Sequence, residues 1–248
     1  MPDVVGFRAK VGVIVPSTNT VVEHDLWNVR PPGVTFHSSR FMVEAPDLST
    51  DEKFLYFLDK IRETIPGSVE DLMTCKPDYI LMGMSAETFW GGKQGNDEFI
   101  ARIDAISGGL PITTGANACG AALEKLGVSR IACLTPYQPI GDNQVERYFT
   151  EVGFDVKRVK GLRCATATSI ADVTEQEVIA ALKELDGDDI DAIVQCGTNL
   201  SMVSIADEAS KWLGKPVLAI NAVCLWHALR SMGIDDQFYG HGIMLREF

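Results

Sequence analysis

Cys196 is the residue of this chain whose surroundings most invite chemistry. It stands in Asp191-Ala192-Ile193-Val194-Gln195-Cys196-Gly197-Thr198-Asn199-Leu200, where an apolar run meets a thiol and Gly-Thr-Asn follows. An amphipathic segment, Met202 to Leu213, comes next. The pattern predicts a buried parallel strand, a tight turn and a helix. A thiol at a helix N-terminus meets free N–H groups and the positive end of the dipole, which favour thiolate and bind anions. These residues fit both a working cysteine and a core cysteine that ends a strand. A second polar turn, Ser17-Thr18-Asn19, closes the β-branched run that ends at Pro16. Its small side chains and N–H groups suit a carboxylate cradle, or an ordinary N-cap cluster.

The elements that would carry these turns follow a regular order. Strands are predicted at 11–16, 34–41, 77–85 and 110–115, with helices from Glu23, over Asp51 to Ile65, over Val69 to Cys75 after Pro66-Gly67, and over 96–106 and 116–126. The series then restarts. Strands are predicted at 130–137, 155–159, 191–195 and 216–220, with helices at 143–152, 174–185, 202–213 and 222–232. The tail from Gln237 reads as an irregular aromatic-glycine end. Strands alternating with helices indicate an α/β fold with parallel sheets.

The two series also resemble each other. Val13-Ile14-Val15-Pro16-Ser17 parallels Ala132-Cys133-Leu134-Thr135-Pro136-Tyr137, and Tyr79-Ile80-Leu81-Met82-Gly83-Met84-Ser85 parallels Ala192-Ile193-Val194-Gln195-Cys196-Gly197-Thr198. The expectation is two similar lobes related by a pseudo-two-fold, each a four-stranded parallel sheet flanked by helices. The first lobe would take residues 1–117 and 222–248, the second 118–221. Open sheets of this kind bind ligands at the strand C-termini. A cleft between the lobes would therefore be lined by the turns at Asn19, Gly83, Tyr137 and Cys196.

Composition excludes several classes. The 248 residues carry a net charge of −12 and a pI near 4.7, which argues against nucleic acid or an anionic membrane as partner. No apolar run approaches the roughly 18 residues of a membrane span, and no signal peptide is visible at the start. The six cysteines, at 75, 119, 133, 164, 196 and 224, include no C-x-x-C pair and lack histidines at zinc spacing, so neither a metal site nor a disulfide framework is expected. A cytoplasmic protein with reduced thiols is expected. Homo-oligomerisation is left open.

The four turns, in this order, resemble the Asp/Glu racemase superfamily, and most closely its branch of arylmalonate decarboxylase and maleate cis-trans isomerase. The resemblance spans nearly the whole chain and rests on Ile14-Val15-Pro16-Ser17-Thr18-Asn19, Leu81-Met82-Gly83-Met84-Ser85, Leu134-Thr135-Pro136-Tyr137 and Gln195-Cys196-Gly197. Two-base members carry a cysteine at the positions of both 83 and 196. Here residue 83 is Gly and only Cys196 is kept. A single cysteine opposite glycine resembles arylmalonate decarboxylase, whose chemistry needs no cofactor. There a malonate-type, often aryl-substituted, diacid loses CO2 and the cysteine protonates the enediolate.

The resemblance implies a small dicarboxylate substrate held by Gly83, Met84 and Ser85, by the Tyr137 hydroxyl, and by N–H groups of Gly197 and Thr198. The decarboxylase has Thr where Met84 stands, so only a backbone contact is carried over there. Asn19 resembles the maleate isomerase side, which opens the alternative of Cys196 adding covalently to an alkene. A non-catalytic protein closing on a small carboxylate is a third expectation. Cys119, Cys133, Cys164 and Cys224 are assigned to packing.

Overall fold

The computed structural model describes residues 3–44 and 47–248. The chain runs β1 (Ala9–Pro16), α1 (Val22–Asn28), β2 (Val34–Phe41), α2 (Asp51–Met73), β3 (Tyr79–Met82), α3 (Ala86–Phe89), α4 (Gly92–Ser107), β4 (Ile112–Thr113) and α5 (Gly115–Leu126). It continues as β5 (Arg130–Thr135), α6 (Pro139–Glu151), β6 (Asp155–Gly161), α7 (Glu175–Leu185), β7 (Ala192–Gln195), α8 (Val203–Leu213), β8 (Val217–Ala219), α9 (Ile220–Ser231) and α10 (Ile243–Glu247).

The described strands form two four-stranded sheets, ordered β2-β1-β3-β4 and β6-β5-β7-β8, and every pairing within them is parallel. The strand order is the same in both. All eight residues of β1, and all of β3, β7 and β8, are buried. Helices cover both faces of each sheet, which is why these strands read as unbroken apolar runs. Parallel pairing also gathers the C-termini of β1 and β3 at one edge of the first sheet, and those of β5 and β7 at one edge of the second. The expected α/β architecture of two similar halves is therefore present.

Helix ends follow local signals. Thr114 caps α5 and Thr174 caps α7, each in a reciprocal capping box with Asn117 and Glu177. Helix α5 stops at Gly127, whose φ of +67° is open to glycine. The helix expected over Asp51 to Ile65 and on from Val69 is one element, α2, which runs through Pro66 and Gly67. Pro66 forfeits one backbone hydrogen bond, but Ile65, Val69 and Leu72 keep the helix buried across the junction. Leu72 lies on Gly12 of β1, where a Cβ would meet its Cδ2 at 2.7 Å.

Three other elements differ from expectation. The short α3 follows β3 directly. Helix α6 starts at Pro139, which suits a first helical turn. The tail contains α10, with Met244 and Leu245 buried. Helix α9, reached from β8, packs against β3, β4, α1 and α5 and is buried on most sides. No described helix is long and apolar enough to cross a membrane.

Candidate active site

The turns after β1, β3, β5 and β7 meet around a shared, partly open cavity. Its polar wall holds Thr18, Asn19, Ser85, Tyr137, Gly197, Thr198 and Asn199; its apolar wall holds Leu48, Phe54, Phe57, Met84, Ala167 and Ile170. Among the described residues, none lining the cavity is cationic. An anion here would be held by neutral donors.

The turns are tied together across the two sheets. The Ser85 Oγ and Tyr137 hydroxyl lie 2.6 Å apart. Thr198 donates its N–H to Ser85 Oγ at 3.3 Å and its hydroxyl to the Gly83 carbonyl at 3.0 Å. Asn19 donates from Nδ2 to Thr198 Oγ1 at 3.4 Å, while its Oδ1 accepts the N–H groups of Val21 and Val22. Asn19 thus accepts the N–H groups at the start of α1, as the N-cap reading expects, and also links that turn to the opposite one. Met84 lines the cavity, and its sulfur accepts from the Glu87 N–H at 3.3 Å. The structure thus brings together Asn19, Met84, Ser85, Tyr137, Gly197 and Thr198 as expected.

Gly83 and Cys196 occupy equivalent places one residue behind the wall. The Gly83 N–H donates to Ile14 and the Cys196 N–H to Leu134, both at 2.8 Å. A Cβ at Gly83 would lie 2.4 Å from Val15 Cγ1 and 3.1 Å from the Ile14 carbonyl. That position holds glycine because its space is already filled.

The thiol differs from the sequence expectation. Helix α8 begins only at Val203, and residues 197–202 form the turn between. Cys196 is therefore not at a helix N-terminus. It is fully buried, and burial, then the neighbouring Cys133 thiol, push its pKa well above the ordinary range. The sulfur keeps its proton at neutral pH. Cys133 lies inside β5, in register with Val194 on the adjacent strand, on the face that Cys196 shares. Cys119 and Cys224 lie near enough to add to the same upward shift. Cys75 is exposed, ahead of β3.

Several further residues support the site. Asn199 donates to the Ala167 carbonyl at 2.9 Å and accepts from the Thr20 N–H at 3.0 Å, joining three loops. Asn221 holds the Thr198 carbonyl at 3.0 Å and the Asp25 carboxylate at 2.8 Å. Burial raises Asp25 to about 6, against the lowering effect of that bond. Apart from Met84, the apolar wall comes from α2 and from the loops after β2 and β6. These two loops pair backbone to backbone through Leu48 N–H and the Ala165 carbonyl at 2.7 Å. In the sequence these residues look like ordinary core or loop. Only the Asn of Gly-Thr-Asn gave a signal.

The family profile described as arylmalonate decarboxylase matches residues 11–245. This chain belongs to that family of enzymes. Among its relatives, the maleate isomerase of Nocardia farcinica is 26% identical over 247 residues, covering 96% of each chain. A solved structure from that organism is similar at a TM-score of 0.85 and 24% identity, covering 96% and 98% of the two chains. It is a cysteine-to-serine mutant of maleate cis-trans isomerase with a covalently bound succinylcysteine intermediate. A liganded arylmalonate decarboxylase, with one glycine changed to cysteine and one cysteine to serine, is similar at 0.84 and 21% identity, covering 96% and 99%.

Proposed function

We propose that this enzyme takes a small dicarboxylate into the cavity and forms an enediolate there, with Cys196 as the single proton donor. The reaction that fits best is decarboxylation of a malonate-type diacid bearing an apolar substituent, such as an aryl group. The observation that carries this reading is the glycine at 83, whose Cβ space is taken by Val15. With one face of the site lacking an acid or nucleophile, chemistry is confined to the face that Cys196 serves.

The retained carboxylate would accept from Ser85, Tyr137 and the N–H groups of Gly197 and Thr198. The departing one would lie in the apolar part, where poor solvation favours loss of CO2. As the C–C bond breaks, its electron pair delocalises into the held carboxylate, which the fixed donors stabilise. The Cys196 S–H then transfers its proton to carbon, and the thiolate regains one from water. A raised thiol pKa suits this role, since the proton must be present when the carbanion forms. Phe54, Phe57, Leu48 and Ile170 supply contact surface for a substituent that maleate does not have.

Isomerisation of a maleate-type alkene is the second reading, and the relatives' names weigh toward it over decarboxylation. Asn19 at the cavity supports it as well. Three observations weigh the other way. The isomerase neighbour retains a succinylcysteine after one cysteine has become serine, so a different cysteine of that protein carries the adduct; this chain has a single cysteine at its turns. Nucleophilic addition also needs a thiolate, which the burial of Cys196 opposes. The decarboxylase neighbour, by its description, naturally has a glycine and a cysteine at its two exchanged positions.

Proton NMR in D2O of phenylmalonate, methylphenylmalonate and maleate, each with the enzyme, separates the readings. Deuterated monoacid from the malonates is the expected result. Fumarate from maleate, with a succinyl adduct on Cys196 by mass spectrometry, would replace decarboxylation with isomerisation. Tight binding without turnover of any of them would leave a carboxylate-binding protein.

A further inference from the structure

Tyr137 is held by its backbone as well as by its hydroxyl. Its N–H donates to Thr135 Oγ1 at 3.1 Å, and its carbonyl accepts from Arg163 Nη1 at 2.5 Å. The same Nη1 reaches Asp142 Oδ2 at 2.5 Å, and the other oxygen of Asp142 accepts the Thr135 hydroxyl. A closed ring of hydrogen bonds therefore runs from one side of the Tyr137 backbone to the other. Asp142, on the first turn of α6, is 6% exposed, which makes it a buried carboxylate whose charge is satisfied within the ring.

Two independent features show that the chain is shaped around this contact. Arg163 has φ of +58°, one of two described non-glycine residues in the left-handed region. That conformation is costly for a side chain with a Cβ and persists where its surroundings demand it. Gly161, at the end of β6, has ordinary φ, yet a Cβ there would lie 1.9 Å from Arg163 Nη1 and 2.6 Å from Asp142 Oδ2. The glycine leaves the guanidinium its place. Gly141 performs the corresponding service for the ring, since its Cβ would meet Tyr137 Cβ at 2.7 Å.

We propose that Thr135, Asp142 and Arg163 are positioning residues that aim the Tyr137 hydroxyl into the cavity, with Gly161 keeping the guanidinium in reach of the Tyr137 carbonyl. This deepens the functional reading above and rests on its assignment of Tyr137 to carboxylate binding. The ring fixes the peptide unit on both sides of the tyrosine, so the hydroxyl meets Ser85 and the substrate carboxylate without losing side-chain freedom on binding.

The decisive experiment is a double-mutant cycle on the full chain carrying Cys196→Ala, in which turnover of phenylmalonate is suppressed, with phenylmalonate binding followed by calorimetry. Gly161→Ala displaces the guanidinium but keeps every charge, whereas Arg163→Ala leaves Asp142 unpaired and could unfold the chain. Gly161→Ala is expected to weaken binding about tenfold in the protein with Tyr137, and less than about twofold in the Tyr137→Phe background. Equal losses in both backgrounds, or none in either, would overturn the proposal. If the unaltered protein binds no phenylmalonate, the functional reading fails, and ring-labelled tyrosine NMR then tests the ring alone. Tyr137, assigned by its absence in Tyr137→Phe, is expected to shift or broaden in Gly161→Ala; an unmoved resonance would overturn the proposal.

Discussion

The turn after β3 and the turn after β7 leave their sheets in the same way, each through an N–H bond of 2.8 Å to the neighbouring central strand. One carries Gly83 and the other Cys196. The difference lies in what stands beside them. Val15, at the end of β1, presses its Cγ1 into the space a side chain at 83 would need. Thr135, at the corresponding end of β5, turns its hydroxyl to Asp142 and to the Tyr137 N–H instead. A methyl group in one half and a hydroxyl in the other divide the labour. The first half offers hydrogen bonds through Ser85, and the second offers the thiol and the tyrosine. A duplicated fold thus supplies two equivalent positions, and their neighbours decide which has room for a side chain.

The largest effect expected from breaking this asymmetry is at the thiol. Cys196→Ala should lower turnover of the cognate diacid by about 10²–10⁴-fold, with circular dichroism unchanged. A variant retaining most of its activity would remove Cys196 from the reaction. Next comes Asp25, which braces the cysteine-bearing turn through Asn221. Its folded value of about 6 exceeds the unfolded carboxylate value of about 3.9. The folded state therefore holds this proton more tightly. Its contribution is fully present below pH about 4 and is lost as pH rises through 6, a swing of about 2–3 kcal/mol. Denaturation of the unaltered protein and of Asp25→Asn between pH 4 and 7 should differ in slope by that amount, with the variant flatter.

Restoring symmetry should be costly. Gly83→Cys is expected to destabilise by about 1–3 kcal/mol through overpacking against Val15, and Val15→Ala in the same chain should recover part of the loss. Equal urea midpoints for Gly83→Cys and the unaltered protein would mean that space, not Val15, was available there. The smallest effect is expected from Tyr137→Phe. Ser85 keeps the Thr198 N–H as a partner, so the stability loss should be about 1 kcal/mol. Ligand affinity should fall alongside it in calorimetry.

Much of this organisation was legible in the chain. Strand runs such as Val11 to Pro16 and Ala192 to Gln195 are apolar because both faces are covered, and their repeated order exposed the two halves. The turns at Asn19, Gly83, Tyr137 and Cys196 were legible because they end the strands directly, and the family resemblance singled out Ser85, the Tyr137 hydroxyl and Thr198 within them. The continuation of α2 past Pro66 was legible from the apolar period on both sides, and burial of Ile65, Val69 and Leu72 holds it as one helix. The state of the thiol was misjudged. A strand followed by a helix in sequence suggested a dipole at Cys196, while residues 197–202 intervene and Cys133 adjoins it.

The sequence by itself determined the α/β class, the duplication, and the four turns where chemistry could occur, because periodicity and strand-ending residues are local properties of the chain. Tertiary structure alone decided that Val15 closes the space at Gly83 and that Cys196 is buried and protonated. It also decided that Arg163 and Asp142 hold Tyr137 from a separate strand and helix. Those facts depend on which side chains meet across the sheets, and neither spacing nor residue type specifies that.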